Sequence, residues 1–142
     1  MLAHTAYREA EVAVNVIAGE KDRMSYSAIP AVIYTNPEVS SVGETEETAK
    51  AKGIKYKAVQ LPFAFSGRYI AENEGGQGFI KLILGADGTI LGACAIGNPS
   101  SEIIFGLAVA VEKKMTPQSM AKVVFPHPTV GEVFRDAILG QI

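Results

Sequence analysis

GFIKLILGADGTILGACAIG, residues 78–97, consists of two apolar, β-forming runs joined by Ala86-Asp87-Gly88. An Asp-Gly pair between such runs is a strong hairpin signal, because Gly accepts the positive φ that a tight turn demands. GFIKLILG (78–85) and TILGACAIG (89–97) are therefore read as paired antiparallel strands. The second is apolar on both faces, which suits a strand in the interior of a sheet.

Other elements can be placed outward from this hairpin. Upstream, KYKAVQL (55–61) alternates enough for a strand, and AVIYT (31–35) is a short β-branched and aromatic run that precedes an NPEVSSVG loop. Thr45 stands as the N-cap of a helix over 46–52, with Glu46 and Glu47 in its first turn, Lys50 and Lys52 near its end and Gly53 beyond. Downstream, SSEIIFGLAVAVEKK (100–114) is a helix apolar nearly all round, which implies cover from its own sheet and from another chain. Thr116-Pro117 starts a brief helix with Pro at its first position. VGEVFRDAILG (130–140) closes the sequence with Val130, Val133, Phe134, Ala137 and Ile138 on one stripe. At the other end, residues 5–18 put Ala6, Ala10, Ala13, Val14 and Ile17 on one helical face, and Gly19 offers a stop.

Helices and antiparallel strands without regular alternation predict an α+β fold, an antiparallel sheet with packed helices. The composition shifts at residues 20–28. Residues 1–28 are expected to form a helix and linker, and 29–142 a compact unit. With 48% hydrophobic and 20% charged residues, the 142-residue chain reads as globular. A net charge of -2 with scattered Lys and Arg argues against nucleic acid. The run IIFGLAVAV (103–111) is about half the ~20 residues of a membrane span, and the start lacks the pattern of a signal peptide. Cys94 is the only cysteine, which excludes an intrachain disulfide, a CxxC pair and a cysteine-based zinc site. No metal and no membrane partner is expected, and a cytoplasmic setting is the default.

The unusual stretch is FPHPTVGEVFRDAIL (125–139). Two readings of it stand side by side. In the first, Thr129 and Glu132 form a capping box, Glu132 returning to the Thr129 N–H, and the prolines merely halt the preceding chain. In the second, Pro128 fixes His127 ahead of the helix, Glu132 accepts a hydrogen bond from Nδ1–H, and Nε2 is left as a proton acceptor.

HPTVGEVFRDA (127–137) resembles the C-terminal HPTxxE motif of the flavin-dependent pyridine nucleotide–disulfide oxidoreductases. PAVIYTNPEVSSVGETE (30–46) resembles the segment that opens their interface, or dimerisation, domain. LGACAIGNPSSEII (91–104) is similar to a glycine-punctuated strand and helix of that domain. MLAHTA (1–6) is similar to the helix start that faces the flavin in the lipoamide-oxidising branch. The likeness runs end to end, with its segments in family order.

The resemblance implies that His127 is the general base toward a dithiol, oriented by Glu132 and acting on the disulfide of the partner subunit. It places Met1, Leu2, Ala3, His4 and Pro128 against FAD, with NAD as electron acceptor, and implies a cis peptide between His127 and Pro128. It further implies a homodimer served by lipoyl domains of a 2-oxoacid dehydrogenase or glycine cleavage complex. Gly131 departs from the serine common at that position.

No GxGxxG follows a strand and no second cysteine is present, so the chain reads as the C-terminal portion of a larger enzyme and is expected to be inactive alone. The alternatives are the same domain in another FAD-dependent disulfide reductase, or a dimerisation module without a catalytic role. The latter would have no need of His127 beside Glu132. A Ser-His-Glu hydrolase lacks its GxSxG elbow.

Overall fold

In a computed structural model, which describes residues 2–142, the 78–97 hairpin lies at the heart of a five-stranded antiparallel sheet. Its strands are β1 (Ala31–Ile33), β2 (Val39–Gly43), β3 (Tyr56–Pro62), β4 (Phe79–Gly85) and β5 (Ile90–Ile96), in the order β1-β2-β5-β4-β3. The strand read as apolar on both faces, β5, is the central one. Its turn is closed by Gly88 N–H on the Gly85 carbonyl at 2.9 Å, with Gly88 at φ +83°. Asp87 Oδ1 accepts from both the Thr89 N–H and its hydroxyl, which fixes the tip.

The register pairs Ile80 with Ala95 and Leu82 with Ala93, so the large residues of β4 stand beside small ones of β5. These four are buried in the main core. Helix α4 (Ser100–Glu112) lies over β2 and β5, and α6 (Glu132–Leu139) over β3 and β4. Leu107 and Ile104 of α4 and Val133, Phe134 and Ile138 of α6 join the same core. Side chains alternate across a strand, so the next pair, Lys81 and Cys94, points away from these residues. Lys81 Nζ there donates to Glu46 Oε1 of α2 (Glu46–Ala51) at 2.7 Å.

Several expectations need correction. The NPEVSSVG stretch is a loop only over 36–38: Val39–Gly43 forms β2, paired with both β1 and β5. Ser40 looks solvent-bound in the sequence yet is 1% exposed, its hydroxyl donating to the Ser100 carbonyl at 3.2 Å. Two further elements lie between β3 and β4, where none was expected. They are a 3-10 turn over Phe63–Phe65 and α3 (Gly67–Glu72). The Thr116-Pro117 signal is answered by α5 (Pro117–Met120), with Thr116 as its cap.

The first helix, α1 (Ala3–Ile17), buries none of its residues, although its alanine face reads as a packing face. It is held instead by polar ties to the segment that runs back from it. Arg8 makes a two-pronged ion pair with Asp22 at 2.9 and 2.5 Å, and Asn15 donates to the same carboxylate at 2.8 Å. Tyr26 donates to Glu9 at 2.9 Å, and Ser25 and Ser27 both donate to Glu112 at the end of α4. No described helix is long and apolar enough to cross a membrane.

Candidate functional site

His127 sits in an irregular loop between α5 and α6, and its peptide to Pro128 is cis. The imidazole is 80% exposed, and its Nδ1 lies 2.8 Å from Glu132 Oε1. An ionised carboxylate can only accept, so Nδ1 carries a proton, and in the neutral ring Nε2 is the free acceptor. Glu132 Oε2 accepts the Thr129 N–H at 2.8 Å. The two sequence readings therefore coexist: one carboxylate oxygen returns to the Thr129 amide and the other orients the imidazole.

The cap itself differs from the expected box. Thr129 does not cap α6; its hydroxyl donates to the Pro126 carbonyl at 2.9 Å and closes a small ring of chain around His127 and Pro128. The helix entry is tightened by Val133 N–H on Val130 O and Phe134 N–H on Gly131 O, so the turn begins before Glu132 without a side-chain cap. Phe125 anchors the start of the loop on Phe134, edge to face at 5.8 Å. The Thr129 N–H, and after it the His127 ring, hold the Glu132 carboxyl below the usual carboxylate range.

Of the other expected site residues, Met1 lies outside the described residues. Leu2, Ala3 and His4 form the exposed start of α1. His4 Nε2 donates to the Pro30 carbonyl at 2.8 Å, which ties the helix start to the segment before β1. No side chain caps this helix start and no acidic residue lies in its first turn. The Thr5 hydroxyl is buried there without a partner among the described residues. Uncapped N–H groups at a helix start suit a group that carries negative charge, so these residues fit a flavin. Pro128 lies beside His127, and no hydrogen bond joins that loop to Leu2, Ala3 or His4 among the described residues. Cys94 is half-buried, and burial pushes its thiol up, away from the thiolate form.

Beside the histidine loop, a mostly apolar cavity of about 760 Å³ opens between α4 and the 121–131 segment. Ile103, Val109, Met120, Val124 and Phe134 are among its lining residues. Val124, 93% exposed, extends this apolar surface outward, and Phe105, 72% exposed, lines a second hollow of α4 beside His4 and Pro30.

The family model for the dimerisation domain of pyridine nucleotide-disulphide oxidoreductases matches residues 29–138. The chain belongs to this family. It is 43% identical over 137 residues to a dihydrolipoyl dehydrogenase of Geobacillus stearothermophilus, covering 96% of this chain and 29% of that protein. A dihydrolipoyl dehydrogenase of Cupriavidus necator is 39% identical over 140 residues, covering 98% and 29%. The crystal structure of LpdA from Mycobacterium tuberculosis matches with a TM-score of 0.89 at 23% identity, over 99% of this chain and 31% of that one. The Cu(II) complex of the HOCl-induced flavoprotein disulfide reductase RclA from Escherichia coli has a TM-score of 0.86 at 22% identity, over 98% and 32%. These last two share the antiparallel α+β fold expected from the 78–97 hairpin. The chain spans less than a third of the length of each of these relatives. The family members are FAD-dependent oxidoreductases, and the matched part is the one through which they dimerise.

Spacing leaves the contact between His127 and Glu132 as one of two readings and the resemblance favours it; the structure joins them. The capping-box reading gives the bond from the Thr129 N–H to Glu132; nothing in it singles out Ser66, whose hydroxyl donates to the Thr129 carbonyl at 3.0 Å from 63 positions upstream. The one local trace of Ser66 is its type, a serine of the kind that caps helices, ahead of a run too short to show a periodicity.

Proposed function

We propose that this chain is the interface domain of a homodimeric dihydrolipoyl dehydrogenase and that His127 is its general base, oriented by Glu132. The shared Glu132 carboxylate carries this reading, because it holds the exposed imidazole of His127 by Nδ1 and leaves Nε2 of the neutral ring as a proton acceptor. Nε2 takes a proton from one thiol of a dithiol such as dihydrolipoamide. The thiolate so formed attacks a redox disulfide outside this chain, and the imidazolium is stabilised by Glu132. A free thiol is mostly protonated at neutral pH, with a pKa near ~8.5, so the base governs how often a thiolate is present.

FAD, when bound, supplies the acceptor through which two electrons reach NAD+. Leu2, Ala3 and His4 would lie against it on one subunit, with Met1 ahead of them, and Pro128 would approach it from the partner. Residues 1–28 belong to the flavin-side region in this reading, which accounts for a helix that buries nothing within the chain. The apolar cavity and the exposed Phe105 and Val124 form the surface covered by the second subunit. Lipoyl domains of a 2-oxoacid dehydrogenase or glycine cleavage complex are the partners that present such a dithiol. A cytoplasmic setting fits them, and the chain alone is inactive.

The test is His127→Gln in the intact flavoenzyme. Dithiol oxidation falls by ~10²–10⁴-fold, the usual worth of a general base. NADH oxidation by ferricyanide, which deprotonates no thiol, stays the same. Undiminished dithiol turnover would refute the assignment.

A further inference from the structure

From Val124 to Gly131 the chain forms no helix or strand, and the ring near its middle faces solvent. Secondary structure does not hold this loop. The Thr129–Pro126 bond lies within it, and the other polar ties run to α6, directly next in the chain. Among the described residues, a single hydrogen bond fastens it to a remote element. Ser66 Oγ donates to the Thr129 carbonyl at 3.0 Å.

Ser66 is well placed for this. It is 4% exposed, and its hydroxyl also accepts the Tyr69 N–H at 3.1 Å, capping α3. A hydroxyl has one proton and two lone pairs, so it serves both partners at once. Behind it, Tyr69 packs edge-on against Phe63 at 5.0 Å, and both rings are buried in the main core. Thr129 is thereby gripped at both ends. Its carbonyl is held by the rigid body of the domain, and its N–H by the carboxylate that orients His127.

We propose that Ser66 is a positioning residue for the His127–Glu132 pair, transmitting the rigidity of the Phe63–Tyr69 core to the histidine loop through the Thr129 backbone. This rests on the reading of His127 as the base. Without the Ser66 proton the Thr129 carbonyl is unanchored, the Thr129 amide moves relative to Glu132, and the imidazole loses its fixed direction. A base displaced by ~1 Å costs up to ~100-fold in rate.

Three substitutions in the intact flavoenzyme separate this role from helix capping. Ser66→Gly leaves α3 nearly as well capped but removes the donor. Ser66→Asp keeps a capping acceptor and has no proton to give. Ser66→Thr keeps both functions. The expected result is a loss of roughly tenfold in dithiol oxidation for the Gly and Asp variants, part of the ~100-fold cost of full misplacement. The Thr variant recovers the rate, and ferricyanide reduction by NADH is unchanged in all three. In the 142-residue chain carrying Ser66→Gly, nitrogen NMR shows His127 losing its single Nδ1–H tautomer. Wild-type dithiol rates in both the Gly and Asp variants overturn the proposal, as does an equal loss in both activities. His127→Gln measured alongside separates the two ideas: if it is inert the base assignment falls, and if it alone is impaired only the Ser66 role falls.

Discussion

Glu132 meets His127 with only one of its two oxygens: Oε1 lies 2.8 Å from Nδ1, while Oε2 takes the Thr129 N–H at 2.8 Å. A glutamine in its place has a single acceptor and cannot serve both. Glu132→Gln is therefore expected to lower dithiol oxidation in the flavoenzyme by at least ~10-fold, short of the full ~10²–10⁴-fold worth of a base. Steady-state turnover with dihydrolipoamide checks this, and a wild-type rate would show that the carboxylate is only a structural tie.

Acid should loosen α1 late. Paired with Arg8, and accepting also from Asn15, Asp22 is lowered from 3.8 to about 2. A lowered folded value means the clasp contributes its full stability above 3.8 and loses it as pH falls toward about 2. Glu132, also lowered from its ordinary 4.5, gives up its contribution on the acid side in the same sense. Hydrogen exchange across residues 3–17 is expected to stay slow down to pH 3.8 and to quicken below it. Asp22→Asn should quicken it already at neutral pH; if it does not, the Arg8 pair is not what holds the helix.

The exposed apolar surface around the cavity should drive self-association. The chain is expected to dimerise at micromolar concentration, with Val124→Asp weakening the dimer at least ~10-fold, as a charge at a buried interface centre does. Sedimentation or light scattering reads both. A monodisperse wild-type monomer would refute self-association through this surface.

Gly131 has helical backbone angles, φ -60° and ψ -18°, and an added Cβ would meet only Thr129 Oγ1, at 3.8 Å. Gly131→Ala is thus expected to stabilise the chain by about 0.4–1 kcal/mol through the unfolded state. Chemical denaturation measures it; a destabilised variant would show that the Thr129 hydroxyl does not tolerate the methyl.

How much of this was legible in the residues depended on whether the signal was local. Asp87-Gly88 announced the hairpin because turn chemistry needs only neighbours, and Thr45 announced α2 for the same reason, although its capping partner is Thr48 rather than an acid. β2 was hidden because Ser40 and Ser41 look solvated. What makes Ser40 a core residue is the Ser100 carbonyl, 60 positions away. At the strand end, Gly43 is required by a neighbour on β5: a Cβ there would sit 2.3 Å from the Leu91 carbonyl oxygen. α3 has six residues, too few to show a periodicity. α1 misled in the opposite way, because an alanine face says that something covers it without saying what. At the site, spacing made a His127–Glu132 contact one of two readings and the family resemblance chose it, whereas Ser66 became visible only once the chain had folded back on itself.

The sheet order also bears on how the protein is assembled during synthesis. β3, β4 and β5 form a meander in which each strand pairs with the next in sequence, so closing those loops is cheap. Only the β2–β5 junction must wait for a distant segment to return. All five strands precede residue 127, so a ribosome has delivered the whole sheet before it adds the His127 imidazole. The reactive tip follows the sheet, and α6, which brings Glu132 and the last of the core side chains, follows the tip.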